Sequence, residues 1–362
     1  MSVVHVVVPD GIDDPARPSG GYVYDRQVCR GLAVTGWQVI EHVAPGSWLW
    51  PDPAAEHALA RIIAGIVDGA VVLIDGLIAS TVPGILVPEA NRLRLVVLVH
   101  MSLGEAPPGH LAANAHVAAN AQTREGAVLS AVQHIVTTSS WTRERLLLRY
   151  ALPPDKVHVA EPGVDPAPLA SGTDRGGELL CVAAVAPHKG HDELLAALAT
   201  IADLPWRCVC VGAIHREPAF VERLRQRAEA SGISDRVCFA GPRIDDDLAQ
   251  AYAGADVLVL ASRAETYGMV VTEALARGLP VIATAVGGVP EALGGAPDGR
   301  RPGILVRPGD SGALASALRN WLVDAALRQR LREAARERRS TLSGWDRPTD
   351  RIAHVLTQAA TS

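Results

Sequence analysis

Short blocks of consecutive apolar residues recur along this 362-residue chain, and segments with helical spacing separate them. A strand that is apolar on both faces is typical of a parallel sheet covered by helices, which also supply the crossover connections between parallel strands. The blocks predicted as strands are residues 3–8, 38–43, 70–74, 93–99 and 134–138 in the first half and 179–185, 206–211, 236–240, 255–260 and 281–284 in the second. The pattern therefore predicts an α/β protein built in two halves.

Segments with helical character alternate with these strands. They are residues 22–35, 57–67, 124–132, 192–202, 219–230 and 248–253, followed by 311–340 and 349–360 near the C-terminus. Between the halves, residues 165–178 are rich in proline, glycine and small polar side chains, which is typical of a linker. We therefore predict an N-terminal domain over residues 1–164 and a C-terminal domain over residues 179–345.

Charge and hydropathy narrow the functional classes. A formal net charge of -5 argues against a chain dominated by contacts with the nucleic-acid backbone, so no nucleic-acid partner is predicted. Residues 1–8 lack the basic start of a secretory signal and are predicted as a buried strand. We find no uninterrupted apolar run long enough to span a bilayer. Peripheral contact with a membrane stays open, and no feature of the sequence supports it.

Five cysteines are scattered through apolar surroundings, and any disulfide scheme leaves one of them unpaired. A reducing cytoplasm suits this pattern best. Cys208 and Cys210 flank Val209 in a predicted strand, which places both thiols on one face. Because no second cysteine pair stands at zinc spacing, we interpret them as structural thiols.

Two glutamates stand eight residues apart around a predicted turn and helix start. The apolar strand 255–260 is followed by a turn over 262–268 and by helical spacing over 269–277. Unpaired N–H groups at such a helix N-terminus favour a diphosphate. Glu265 lies in the turn, where it can reach ligand hydroxyls, and Glu273 lies one helical turn further on, where a ribose diol would satisfy it. The alternative is that both carboxylates are simply exposed.

The segment from Ser262 to Glu291 closely resembles the E-x7-E signature of the family-4 retaining glycosyltransferases. The resemblance continues through nearly the whole chain, in the segments 161–165, 179–190, 287–291, 303–306 and 309–310. It implies the GT-B fold, an α/β architecture of two Rossmann-like domains facing across a deep cleft. It also implies that residues from about 346 to 362 cross back onto the N-terminal, acceptor-binding domain, while the C-terminal domain binds the nucleotide sugar.

The resemblance implies that the protein transfers a sugar from a UDP- or GDP-linked donor to an acceptor hydroxyl. The transfer would retain the anomeric configuration of the sugar and would need neither a metal nor a cofactor. Glu265 would hold hydroxyls of the transferred sugar, and Glu273 would hold the ribose. The remaining donor-binding residues of this domain would be Thr266, Tyr267, Gly268 and Met269 near sugar and phosphate, and Arg243 and Ile244 bordering the base.

Lysine is rare in this chain, which has 32 arginines but lysine only at Lys156 and Lys189. A retained lysine is useful as a compact ammonium, and the resemblance assigns Lys189 to a donor phosphate. The arginine that the family carries five residues earlier is replaced by Ala184. The predicted candidates to supply its charge are His188, Arg263, Arg17 and Arg26.

In the first half, Gly20 and Gly21 end a long polar turn and are predicted either to let the backbone approach a ligand closely or to serve only turn geometry. The resemblance implies that this ligand is the donor diphosphate. His100 follows a predicted strand, so its imidazole should lie at the carboxyl edge of the sheet. By resemblance, this histidine contacts the transferred sugar. Asp75 ends the strand 70–74 and is predicted either to orient an acceptor hydroxyl or to cap the next turn.

The acidic run Asp245 to Asp247 precedes a predicted helix, where carboxylates cap free N–H groups and complement the helix dipole, so we predict no metal there. Three other functional classes are compatible with an α/β architecture. An NAD-dependent oxidoreductase lacks support because no G-x-G-x-x-G motif follows a strand. A non-catalytic protein that binds sugar nucleotides, and a GT-B sugar-nucleotide epimerase, both stay open as alternatives to a glycosyltransferase.

Overall fold

The computed structural model describes residues 2–16, 18–48, 50–105 and 115–361. The chain divides into two compact units. The first comprises Met1–Asp13, Ser19–Gly163 and Gly344–Ser362, and the second comprises Asp14–Pro18 and Val164–Ser343.

The first unit contains a six-stranded parallel sheet in the order β2-β1-β3-β4-β5-β6. Its strands are β1 (Val3–Pro9), β2 (Gln38–Ala44), β3 (Val71–Asp75), β4 (Arg94–Val99), β5 (His134–Thr137) and β6 (Val157–Val159). Its first helices are α1 (Gly20–Val34), α2 (Pro53–Ala64), α3 (Gly76–Ala79), α4 (Pro83–Glu89), α5 (Ala115–Ala131) and α6 (Ser140–Tyr150). Strands β3 and β4 are almost wholly buried, as predicted for a sheet covered on both faces.

The second unit repeats this architecture, with the strand order β12-β11-β10-β7-β8-β9. Its strands are β7 (Glu178–Val182), β8 (Arg207–Val211), β9 (Val237–Gly241), β10 (Val257–Leu260), β11 (Val281–Thr284) and β12 (Gly303–Val306). Its helices are α7 (His191–Ala199), α8 (Pro218–Ala230), α9 (Asp245–Ala253), α10 (Met269–Ala276), α11 (Val289–Leu293), α12 (Ser311–Val323) and α13 (Ala325–Arg338).

The last helix, α14 (Asp346–Thr361), belongs to the first unit. Its apolar face joins the core that α1 shares with the sheet, through Ile352, Val355 and Leu356. The two helices approach closely at Gly31, where a Cβ atom would lie 2.2 Å from Oγ1 of Thr349. The chain therefore returns to its N-terminal unit after completing the second one.

Three local predictions are wrong in detail. The helix predicted over 311–340 is two helices, because Asp324 ends α12 and caps α13 by accepting a hydrogen bond from Leu327 N at 2.9 Å. Helix α1 begins at Gly20, so both predicted turn glycines lie in its first turn. The acidic run at the start of α9 makes no side-chain capping bond, although its charges do lie in the first turn of the helix.

No helix among the described residues is both long enough and apolar enough to cross a membrane.

Candidate active site

The strand order of the second unit locates a ligand site. The chain runs outward from β7 through β8 to β9 and then returns to β10 on the other side of β7, so the order reverses between β7 and β10. Open α/β sheets bind ligands outside the carboxyl ends of the strands at this switch point. The loop after β7 carries Lys189 and leads into α7, and the loop after β10 carries Glu265 and leads into α10. The site that the sequence predicts is therefore at the switch point.

Lys189 and Glu265 form an ion pair across the switch point. Lys189 Nζ donates a hydrogen bond to Glu265 Oε1 at 2.7 Å, and Ser262 Oγ donates to the same oxygen at 2.8 Å. The side chains of the pair are only 22% and 10% exposed. Each group thus neutralises the charge of the other.

Two glycines allow this pair to form. Gly190 and Gly287 both have left-handed φ angles, 67° and 53°, which favour glycine. A Cβ atom on Gly190 would lie 1.9 Å from the carbonyl oxygen of Ala261, and one on Gly287 would lie 1.5 Å from the carbonyl oxygen of Glu265. The backbone at Gly190 therefore packs against the backbone at Ala261, and the backbone at Gly287 packs against that at Glu265. These contacts fix the position of the Glu265 loop.

Glu273 is held by a residue that sequence reasoning missed. Its carboxylate is half-buried and accepts a hydrogen bond from Oη of the buried Tyr252 at 2.8 Å. The guanidinium of Arg277 lies 4.5 Å from the Tyr252 ring centroid and donates to the Glu273 carbonyl oxygen at 2.9 Å. Burial raises the pKa of Glu273. The alternative of a fully exposed Glu273 is therefore wrong.

The other predicted donor-binding residues lie in two places. Thr266, Tyr267 and Gly268 connect Glu265 to Met269, the first residue of α10, and Tyr267 is buried. Arg243 and Ile244 follow β9, which is separated from β7 by β8, and Ile244 is 40% exposed. The structure thus brings the first group to the switch point and leaves the second group at the edge of the sheet.

Two of the four cations proposed to replace the arginine absent at Ala184 are already paired. Arg263 donates to both carboxylate oxygens of Asp192, at 2.8 and 2.7 Å, and to Glu193 at 2.9 Å. Arg26 is paired with Asp13 and Glu41. Either arginine would have to break its ion pairs to bind a phosphate. Arg17 lies outside the described residues, and His188 lies in the same 3-10 turn as Lys189.

In the first unit, His100 directly follows β4 and lies between two buried carboxylates. Its Nε2 atom is 2.7 Å from Asp25 Oδ1 and 3.6 Å from Asp75 Oδ2. Asp75 also accepts hydrogen bonds from the N–H groups of Leu77 at 2.7 Å and Ile78 at 3.4 Å. The capping role predicted as one alternative for Asp75 is therefore present, and its role toward an acceptor stays a prediction.

The carboxylates change the protonation of this cluster. Burial disfavours the imidazolium form of His100, but the adjacent Asp25 carboxylate outweighs burial and, with Asp75, raises the pKa of His100 to about 8. Burial and the charge of Asp25 raise the pKa of Asp75 to about 7. The cluster therefore holds a proton at neutral pH. Sequence reasoning missed Asp25, which lies 75 residues from His100 in the chain.

Two groups of described residues each bring three side chains with nitrogen, sulfur or oxygen atoms within 4.8 Å of one another. One is the cluster of Asp25, Asp75 and His100. The other is Cys181, His191 and Cys210, all buried in the core of the second unit, with Cys181 Sγ 3.8 Å from His191 Nε2. Cys210 therefore lies beside His191 and the thiol of Cys181. The spacing of Cys208 and Cys210 in the sequence did not indicate these neighbours.

Two family models match the chain on either side of residues 169–172. The model described as glycosyltransferase family 4 matches residues 4–168, and the model described as glycosyl transferases group 1 matches residues 173–338. The chain belongs to this family of GT-B glycosyltransferases. The Lys189 and Glu265 loops both lie within the region matched by the group 1 model.

Curated relatives agree with this membership. The chain is 30% identical over 277 residues to D-inositol 3-phosphate glycosyltransferase 1 of Catenulispora acidiphila, a match that covers 71% of this chain and 62% of the relative. It is 34% identical over 259 residues to the D-inositol 3-phosphate glycosyltransferase of Thermomonospora curvata, covering 65% and 59%. The matches thus span less than two thirds of the length of these relatives.

Solved structures show the same two-domain GT-B fold. Sucrose-phosphate synthase from Thermosynechococcus elongatus superposes with a TM-score of 0.79 at 23% identity and covers 100% of both chains. HepE of Anabaena, in its complex with UDP-glucose, superposes with a TM-score of 0.77 at 17% identity, covering 99% of this chain and 100% of that one. At these identities the similarity is one of fold.

Proposed function

We propose that this protein is a retaining, metal-independent glycosyltransferase that moves a sugar from a nucleoside-diphosphate sugar to an acceptor hydroxyl. The observation that carries the proposal is the Lys189–Glu265 pair at the switch point of the second unit. A cation suited to phosphate and a carboxylate suited to sugar hydroxyls lie side by side in a hydrogen bond of 2.7 Å, which supports a donor whose diphosphate and hexose are adjacent.

The N-terminus of α10 complements Lys189 as the diphosphate site. Its first turn contains no acidic side chain, whereas the first turn of α7 contains Asp192 and Glu193, which Arg263 neutralises. The free N–H groups of α10 are therefore the more available anion site. Together with Lys189 they stabilise the charge that the leaving diphosphate gains in the transition state.

Donor binding on this site requires an exchange of partners. The diphosphate takes over Lys189, and the released Glu265 carboxylate accepts hydrogen bonds from hydroxyls of the transferred sugar. Glu273 keeps its bond from Tyr252 and uses its remaining acceptor positions for the ribose diol. Both carboxylates are then satisfied by the same ligand.

Lys189 and the α10 N-terminus are positive groups that offset the diphosphate charge, and this supports chemistry without a metal. For retention we propose a front-face route, in which the departing diphosphate helps to deprotonate the acceptor hydroxyl. The support is the family resemblance. His100, in the first unit, is proposed to contact the transferred sugar, and trapping a covalent sugar on any side chain would contradict this route.

The names of similar proteins suggest the first substrates to test. We propose D-inositol 3-phosphate as the first acceptor because curated relatives bear that name, and UDP-glucose as the first donor because HepE was solved with it. We further propose a cytoplasmic location, which is supported by five free cysteines, four of them buried.

A thermal-shift panel of UDP- and GDP-sugars, run in EDTA and in magnesium, tests donor binding. One donor should raise the melting temperature of the wild type equally in both conditions, and Glu273→Ala should lose this shift. Glu229→Ala, an exposed glutamate on α8 of the same unit, is the matched control and should keep it. The absence of a shift from every donor, or a shift that requires magnesium, would contradict the proposal.

A non-catalytic sugar-nucleotide-binding protein is the second candidate, because Ala184 removes one cation that the family uses. Such a protein would give the same thermal shift without turnover, so an assay of nucleoside diphosphate release with varied acceptors separates the two. An epimerase would instead convert the donor when no acceptor is present.

A further inference from the structure

The buried side chain of Asp25, which the sequence pattern did not indicate, contacts His100. We propose that Asp25 is a positioning residue that keeps His100 as an imidazolium, with Nε2–H bonded inward and Nδ1–H offered as a hydrogen-bond donor to the substrate. The inference rests on the proposed function, because it gives His100 a substrate to contact. It concerns the first unit alone and can be tested without any substrate.

The geometry fixes the imidazole ring from several directions. Asp25 lies in α1 with a side chain that is 3% exposed, and its Oδ1 is 2.7 Å from His100 Nε2. A Cβ atom on Gly21 would lie 3.3 Å from the ring, so the start of α1 packs against it. The Tyr24 ring meets it edge to face at 5.3 Å, and Tyr24 is anchored by donating to the Ala160 carbonyl oxygen at 2.8 Å. The ring therefore has one orientation.

Two carboxyl groups face the ring, and the nearer one favours its cationic form. Asp25 faces it from α1, and Asp75 faces it from the end of β3. The Oδ2 atom of Asp25 is buried without a hydrogen-bond partner among the described residues, and its Oδ1 atom faces the His100 ring, so an imidazolium offsets most directly the cost of burying this carboxylate, with a smaller contribution from Asp75 in its protonated form. Asp75 has the N–H groups of Leu77 and Ile78 as well. Tyr24 stays neutral because burial raises its pKa. Asp25 is thus the main partner.

The bond to Asp25 determines which ring nitrogen meets the substrate. Nε2 carries a proton because it faces a carboxylate acceptor, so Nδ1 is the remaining nitrogen, and it has no hydrogen-bond partner among the described residues. In the imidazolium form Nδ1 also carries a proton. The side chain is 18% exposed, so His100 presents a charged donor suited to a sugar hydroxyl or a phosphate oxygen. It does not act as a general base in this state.

The protonation of His100 is measured by long-range ¹H–¹⁵N NMR of the imidazole groups, titrated from pH 5.5 to 9.5. The His100→Gln variant assigns the signals. The wild type should show an imidazolium pattern at pH 7 and titrate near pH 8. In Asp25→Asn, which keeps the side-chain shape, burial prevails and the midpoint should fall by more than one pH unit, a loss of more than tenfold in proton affinity.

Two further variants complete the titration. Asp68→Asn changes an exposed aspartate of the same unit and should leave the midpoint unchanged. Asp75→Asn should lower the His100 midpoint by less than Asp25→Asn does. If Asp25→Asn fails to fold, the wild-type midpoint still tests the inference, and Asp75→Asn shows how much of it depends on the second carboxyl group. A wild-type midpoint at or below pH 6.5, or an Asp75→Asn shift that equals or exceeds the Asp25→Asn shift, would overturn the inference.

Turnover links the ion pair to the proposed function. The kcat/KM of the wild type should fall as the pH rises through about 8, and that of Asp25→Asn should fall at a pH at least one unit lower. A uniform loss at every pH would indicate a merely structural role and would contradict the inference. Because the NMR titration needs no donor, failure of the proposed function and failure of the Asp25 assignment give different results.

Discussion

Glu265→Gln should make the site bind a nucleoside diphosphate more tightly. In the wild type, Lys189 is engaged by Glu265 at 2.7 Å, so a phosphate must first displace the carboxylate. Glutamine keeps the size of the side chain and its hydrogen-bonding oxygen but removes the charge that competes with the phosphate. The variant therefore presents a lysine whose charge is no longer neutralised.

The magnitude follows from the burial of the pair. Both side chains are less than a quarter exposed, so solvent screens their attraction only partly. A hydrogen bond to a charged group contributes about 1.5–3 kcal/mol, against about 1 kcal/mol for a neutral one. The difference of about 0.5–2 kcal/mol corresponds to roughly 2- to 30-fold tighter binding. The nucleotide sugar should gain less, because its sugar loses the carboxylate acceptor.

Isothermal titration calorimetry of nucleoside diphosphate and nucleotide sugar on the wild type and Glu265→Gln measures both effects. Glu229→Gln is the control and should bind like the wild type. The ratio of the two dissociation constants reports the contribution of the sugar, and it should shrink in Glu265→Gln. Weaker or unchanged binding of the nucleoside diphosphate would refute the exchange of partners on Lys189.

Two other predictions concern the stability of each unit. Gly287→Ala should lower the melting temperature and abolish the donor-induced shift, because its Cβ atom would lie 1.5 Å from the Glu265 carbonyl oxygen. Gly299→Ala is the control for backbone strain alone, because Gly299 also has a positive φ but no atom lies within 4 Å of the position of an added Cβ. Equal effects of the Gly287→Ala and Gly299→Ala substitutions would contradict the close-packing argument. In the first unit, His5 and His42 share a hydrogen bond of 2.9 Å, and burial lowers the pKa of both below the ordinary value of about 6.5. The unfolded chain then binds more protons below pH 6.5, so this contribution to stability is complete above that pH and is lost as the pH falls. The melting temperature should drop less between pH 6.5 and 5 in a double His5→Gln/His42→Gln variant than in the wild type, and identical profiles would contradict the assignment.

The central strands β3, β4, β10 and β11 were predictable because they are buried on both faces and so read as apolar blocks in the sequence. Some elements were not predicted, and for β6 and α6 the physical reason is clear. Strand β6 is only three residues long, and α6 is polar along most of its length, so neither gives a strong pattern. Helix 311–340 looks continuous in sequence, but a single capping aspartate divides it.

The site was predictable only where it lies in contiguous motifs. Glu265, Glu273 and Lys189 follow strands in segments that resemble the family, and the structure brings Glu265 and Lys189 together. Their partners could not be predicted from the sequence, since Tyr252 is 21 residues from Glu273 and Asp25 is 75 residues from His100. Such pairs depend on how helices pack on the sheet, which local spacing does not encode.

Turnover in EDTA tests the proposed function most directly. The wild type, incubated with UDP-glucose and D-inositol 3-phosphate and then with wider donor and acceptor panels, should release nucleoside diphosphate only when an acceptor is present. Proton NMR of the product should show the anomeric configuration of the donor, and Lys189→Ala should abolish its formation. An inverted product, a requirement for metal, or no release from any pair of substrates would contradict a retaining, metal-independent glycosyltransferase.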